Sequence, residues 1–321
     1  MRTDIDKSNM YDDIARFSQE AREAWEKAGD VKFKFKHLIV AGMGGSAIAG
    51  DLLNCYVSEI PILVNRNYKL PDYIDKDCLV IVNSYSGNTE ETLSAYDDAM
   101  QKKAQILVMT SGGQLQAKAK ENNHPIINLP DGMQPRAALM YSFIPMIKVL
   151  QNSGIIGNIG KQLEETFELL KDDSIRKTGE QLAEATKDKI PLIYASQKIY
   201  AAAMRWKTQI NENAKRQAFW NAFSEMNHNE IVGFTSEHEK YSVIFLRNEN
   251  DHQRIQKRFE ICKDIIQSDV HEIWSKGESL LSQICTLVNT GDWYSYYLAL
   301  ICGIDPTPVD IVEDLKNKLI I

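Results

Sequence analysis

The sequence predicts an α/β protein with two parallel-sheet lobes joined by helices, and three observations carry that expectation. Short apolar runs alternate with helix-like segments, the pattern of βαβ units. The same order of elements returns in the second half, after a polar helical stretch. At 321 residues and 44% hydrophobic content, the chain exceeds one ordinary domain and has enough apolar residues for two cores.

Taken in order, residues 36–42 (KHLIVAG), 78–83 (CLVIVN), 105–110 (QILVMT) and 125–129 (HPIIN) read as strands. Each is followed by turn residues and a helix-like segment, and PILVNRN forms a further strand region. Pro135 to Asn152 reads as one long helix, with Pro135 in its first turn and Asn152-Ser153-Gly154 ending it. From Gly157 to about Lys189 the pattern is that of polar connecting helices. Strands then return at 190–195 (IPLIYA), 241–246 (YSVIFL) and 270–274 (VHEIW). Pro306 and Pro308 bound a turn before a last amphipathic helix, for which Ile311, Leu315 and Leu319 are the expected buried stripe. The expected division is residues 1–155 for the first lobe, and 156–321 for the connector, second lobe and terminal helix.

The balance of 37 basic and 44 acidic residues leaves a formal charge of -7, so no basic face is expected for nucleic acid or anionic lipid. No apolar run approaches the roughly 20 residues of a bilayer span, and the start MRTDIDKSNMYDDIARF lacks the apolar core of a signal peptide. The expectation is a soluble, cytoplasmic protein. Cys55, Cys78, Cys262, Cys285 and Cys302 are widely spaced in apolar surroundings and read as reduced core residues. Neither CxxC nor HxxxH spacing occurs, so no metal site is expected.

Two turns carry chemistry. Asn83-Ser84-Tyr85-Ser86-Gly87-Asn88-Thr89 follows a buried-looking strand and precedes a helix. Free N–H groups at a helix start, together with three hydroxyls, suit a phosphate without any basic side chain. The plainer alternative is a Ser/Thr turn with Thr89 as helix cap. The second turn, Gly42-Met43-Gly44-Gly45-Ser46, would place Ser46 and nearby backbone donors across the same crevice. It departs from a dinucleotide fingerprint at Ala47, and PILVNRN ends without the acidic ribose-binding residue.

Together, GMGGSAIAGD and SYSGNTEET resemble the sugar-isomerase (SIS) domain, and the duplicated layout resembles the phosphoglucose isomerase superfamily. The resemblance implies two SIS-type, flavodoxin-like lobes. It also implies a sugar phosphate held by Ser84, Ser86 and Thr89, with Gly45 and Ser46 from the earlier loop.

Aldose–ketose isomerisation needs a positioned base beside the carbonyl carbon, typically worth about 10²–10⁴-fold. Glu212, in Asn211-Glu212-Asn213-Ala214-Lys215, is the candidate; the plainer reading pairs it with Lys215 or Arg216 on a helix face. His228 lies in a polar turn between two asparagines and could move a proton during ring opening, or could be structural. ENAK and SEMNHNE resemble the ENxK and PExxHNE signatures of the bifunctional phosphoglucose/phosphomannose isomerases, with Ser224 where that family usually has proline. This resemblance, from about Lys36 to Lys316, implies Glu212 as the base between carbons 1 and 2. It implies His228 as the ring-opening residue, supplied across a homodimer, and no cofactor. The Pro135-Arg136 pair matches a family PRxA motif and implies that Arg136 stabilises an enediolate oxygen. A helix-end arginine neutralising Asp131 or Glu121 is the alternative. The GxDPxxV turn implies Thr307 in the pocket and Lys316, or else Lys318, reaching the sugar.

The expected activity interconverts glucose 6-phosphate, and with it mannose 6-phosphate, with fructose 6-phosphate through a cis-enediol. A sugar-phosphate sensor would not need Glu212 and His228. An amino-sugar phosphate isomerase would need ammonia handling, for which the chain has no added domain.

Overall fold

The computed structural model describes residues 2–236 and 238–319. Three N-terminal helices, α1 (Arg2–Ile5), α2 (Met10–Ala15) and α3 (Phe17–Lys27), precede a first lobe of strands β1 (His37–Ala41), β2 (Ile62–Asn65), β3 (Cys78–Asn83), β4 (Gln105–Thr110) and β5 (Ile126–Asn128). Helices α4 (Gly44–Tyr56), α5 (Glu90–Gln101) and α6 (Gly113–Glu121) connect them, and α7 (Leu139–Asn152) follows. Helices α8 (Gly160–Leu169) and α9 (Asp173–Thr186) form the connector. The second lobe contains β6 (Ile190–Ala195), α10 (Tyr200–Asn213), β7 (Phe219–Ala222), α11 (Phe223–Met226), α12 (Glu230–Gly233), β8 (Tyr241–Arg247), α13 (Gln253–Ile265) and β9 (Asp269–Trp274). Two helices close the chain, α14 (Leu280–Ile301) and α15 (Asp310–Leu319).

Both sheets are wholly parallel, in the orders β2-β1-β3-β4-β5 and β7-β6-β8-β9. The second repeats the first four positions of the first, so the two lobes share one winding plan. Side chains alternate across each sheet. Leu38, Val40, Leu79 and Ile81 face a central core, while Ile39, Val80 and Val82 face a second core on the other side. In the second sheet Ile193, Ala195, Ile244 and Leu246 join the central core, and Tyr194, Val243 and Phe245 form an outer one with Phe223 and Phe259. One apolar core therefore spans both inner sheet faces. Helix α14 is buried over nearly its whole length. Burying a Leu or Ile side chain contributes about 1.5–3 kcal/mol, which makes this shared core the main tie between the lobes.

Four details differ from the sequence expectation. Strand β7 is additional to the strands the sequence predicts, since its four residues FWNA lack alternation and Phe219 is exposed at the sheet edge. Helix α7 begins at Leu139, and Pro135–Ala137 form a turn; the Arg136 carbonyl, which a continuing helix would use, accepts instead from Arg205 Nη2 at 2.9 Å. Ile311, Leu315 and Leu319 are exposed, at 82%, 60% and 61%, so the terminal helix has no buried stripe within one chain. Cys302 is exposed as the C-terminal cap of α14, while Cys78, Cys262 and Cys285 are buried. Among the described residues no helix is long and apolar enough to cross a membrane.

Candidate active site

The carboxyl ends of β1 and β3 form the cradle. Ser84 N donates to Met109 O at 3.0 Å, and Ser84 Oγ donates to Thr89 Oγ1 at 3.1 Å. Asn88 N reaches Ser86 Oγ at 3.3 Å. Gly87 has φ +67, and a Cβ there would collide with the Gly112 carbonyl, so the tight loop requires glycine at this position. Thr89 occupies the helix-cap position but makes no cap bond from its side chain. The N–H groups of the first turn of α5 thus have no side-chain acceptor from their cap, as an anion site needs. Met43 likewise makes no cap bond at the start of α4. Asn83 Nδ2 donates to Ser46 O at 2.9 Å, which joins the two loops.

Arg136 links this cradle to the second lobe. A Cβ on Gly45 would lie 3.3 Å from Pro135 O and 3.4 Å from Arg136 Cα, so the glycine loop and the Pro135-Arg136 turn are in close approach. Arg136 is only 4% exposed. Its Nε donates to Asn213 Oδ1 at 2.7 Å, its Nη2 to the carbonyls of Pro306 and Thr307 at 2.8 Å each, and its Nη1 to Gln134 Oε1 at 3.2 Å. Nη1 also stands 3.6 Å from Glu212 Oε2. Burial lowers the guanidinium's pKa, and the nearby Glu212 carboxylate opposes that shift. With most of its N–H groups committed, the side chain is a fixed positive edge beside Glu212. A preorganised charge of this kind stabilises an oxyanion without reorganising.

The support for Arg136 reaches deep into the core. Arg205 is paired with Asp292 at 2.9 Å, both almost completely buried, and Gln209 Nε2 adds a bond to Asp292 at 3.0 Å. Asn213 Nδ2 donates to Ser295 Oγ at 2.9 Å. Sequence reasoning missed Asn213, Arg205 and Asp292 as parts of this frame, because nothing in their spacing announces a contact between α10 and α14. Thr307 is 8% exposed and its Oγ1 has no partner among the described residues.

Arg136, Glu212 and Thr307 are therefore brought together, with Gly45, Ser46, Ser84, Ser86 and Thr89 in the adjoining loops. Lys316 is not brought into this cluster: its exposed ammonium pairs with Glu313 at 2.7 Å. His228 is exposed in the turn after α11, held by Asn229 Nδ2 to Glu225 Oε1 at 2.6 Å. Glu212 lies in the last turn of α10, before β7 begins, whereas His228 follows the carboxyl end of β7. A four-residue strand spans roughly 13 Å, so the two lie at opposite ends of the second sheet in one chain.

Two wholly parallel α/β lobes, with a hydroxyl-rich loop at one sheet's carboxyl edge and a carboxylate–guanidinium pair beside it, place the chain in the SIS fold class. The fold agrees. The structure superposes on glucosamine-6-phosphate deaminase from Thermotoga maritima with TM-score 0.71, 14% identity, and coverage of 92% of this chain and 95% of that one. The C-terminal domain of glucosamine-fructose-6-phosphate aminotransferase from Francisella tularensis gives TM-score 0.71 at 15% identity, covering 93% and 98%. The family model for the bacterial phospho-glucose isomerase C-terminal SIS domain matches residues 175–319. A bifunctional phosphoglucose/phosphomannose isomerase from Caldicellulosiruptor bescii is 40% identical over 97% of this chain and 98% of its own length. One from Thermoplasma acidophilum is 38% identical over 89% and 90%. The chain belongs to the bifunctional phosphoglucose/phosphomannose isomerase family, and it is an isomerase.

Proposed function

We propose that the protein interconverts glucose 6-phosphate and mannose 6-phosphate with fructose 6-phosphate through a cis-enediol, in the cytoplasm and as a homodimer. Ser46, Ser84, Ser86 and Thr89, with the Gly45 backbone, hold the phosphate. Glu212 removes a proton from carbon 1 of the ketose and returns it to carbon 2 while the hydroxyl proton passes from oxygen 1 to oxygen 2, so the carbonyl moves and no net proton is consumed. Arg136 balances the charge on the enediolate oxygens. Return of the proton to either face of carbon 2 yields one aldose epimer or the other, with Thr307 beside that part of the chain. His228 of the partner subunit opens the sugar ring, and Lys316, paired with Glu313 in the single chain, assists only once the exposed terminal helix brings it to the sugar. The working division is a first lobe over 1–155 and a second over 156–321.

The observation that carries this reading is the Arg136–Glu212 pair beside the Gly45 loop: it supports base, oxyanion partner and phosphate cradle acting on one substrate. Turnover of fructose 6-phosphate in deuterated water tests it. Both aldoses should form with deuterium at carbon 2; binding of fructose 6-phosphate with neither product nor exchange would show a sensor instead.

A further inference from the structure

We propose that Lys215 is a positioning residue of this site, whose ammonium ties the end of the helix carrying Glu212 to the turn that holds Arg136 and Thr307. Lys215 Nζ lies 2.6 Å from Glu212 O, 3.4 Å from Asn213 O, 3.2 Å from Asp305 O and 3.1 Å from Pro306 O. Two of these carbonyls belong to the last turn of α10, and two to the turn before α15. Pro306 O also accepts from Arg136 Nη2, so the ammonium and the guanidinium share an acceptor. A closed frame results: Glu212 side chain to Arg136, Arg136 to Pro306, Pro306 to Lys215, and Lys215 to the Glu212 backbone.

The backbone is shaped for this. The last carbonyls of a helix lack N–H partners and attract a cation. Lys215 has φ +54, a conformation that L-residues seldom adopt, and from it the side chain folds back onto the helix end. Asn211 Nδ2 to Arg216 O at 2.7 Å closes the turn beyond it. The charged groups that face the ammonium are Arg136, Asp305, Glu212 and Asp310. Burial, reinforced by Arg136, draws its pKa down from 10.5 to about 8. In mildly alkaline solution it becomes an amine with one N–H fewer and no charge, and the frame loosens.

The kinetic part of the test rests on the proposed isomerisation. It compares Lys215→Met and Lys215→Arg for kcat and KM with fructose 6-phosphate from pH 6 to 10, and for amide hydrogen exchange over residues 303–309. Displacing a base from its partner costs up to about 10²-fold. K215M should lose about 30- to 100-fold in kcat with KM within about threefold. K215R, whose guanidinium stays charged, should keep most of kcat and lose the fall in activity above pH 8. Exchange over 303–309 should be faster in K215M and unchanged in K215R. Wild-type kcat in K215M, or an alkaline limb unmoved in K215R, would overturn the proposal, and K215R decides alone if K215M does not fold. A wild type without turnover would sink the isomerase reading, and exchange over 303–309 would still judge Lys215.

Discussion

Arg136 is fixed by the side-chain amides of Asn213 and Gln134, by two carbonyls of the 306–307 turn, and by Arg205, which donates to its backbone carbonyl. Its importance was legible from Pro135-Arg136 only through resemblance, since spacing alone cannot distinguish a helix-end arginine from an anchored one. Glu20 had no signal in the sequence at all. It is 1% exposed and neither carboxylate oxygen has a partner among the described residues. Burial, with Asp13 next, raises its pKa from 4.5 to about 8. The native state therefore holds a proton that the unfolded chain releases near pH 4.5, and stability falls as pH rises from about 4.5 to 8. Glu20→Gln should remove this loss, so its Tm should exceed that of the wild type at pH 8 and the gap should narrow toward pH 5. A gap independent of pH would show that Glu20 is not protonated in the fold.

At the level of elements, strands were the most legible feature, because β1, β3, β4, β6 and β8 are buried on both faces and read as continuous apolar runs. The edge strand β7 was hidden by its exposure, and the start of α7 was displaced by a tertiary hydrogen bond that no local pattern encodes. Helix α15 shows a related limit: periodicity says that a face needs cover, and not which chain supplies it. Helix α10, which carries Glu212, packs on α14. Trp206 donates from Nε1 to Leu287 O at 2.8 Å, and its ring lies where a Cβ on Gly291 would fall. Gly291→Ala should gain about 1 kcal/mol of helix propensity and lose up to about 3 kcal/mol to overpacking. A net destabilisation of about 1–2 kcal/mol in urea unfolding is expected, with reduced kcat because α10 must shift. A stabilised, fully active variant would mean that α10 does not set the geometry of Glu212.

Over the whole molecule, two lobes share one winding plan, and the proposed site draws on them differently. The first presents the cradle at the carboxyl edge of its sheet, and the second contributes Glu212 from near the amino edge of its own. The stripe of α15, the His228 turn, and an aromatic depression of about 460 Å³ lined by Phe219, Trp220 and Phe234 lie at the surface of the single chain. If His228 serves the partner's site, Glu212→Gln and His228→Ala homodimers should each be nearly inactive, while unfolding and refolding them together should restore activity. Random pairing in a symmetric dimer leaves roughly one quarter of the wild-type sites intact. No recovery, with mixed dimers confirmed by mass, would place the histidine's action within its own chain.

In the proposed reaction, cradle and carboxylate hold opposite ends of one six-carbon substrate. A crystal structure with a linear six-carbon sugar-acid phosphate tests this. The phosphate should accept hydrogen bonds from Ser84, Ser86 and Thr89, with the acid end between Glu212 and Arg136. A ligand whose phosphate sits elsewhere, or whose acid end contacts neither residue, would contradict it.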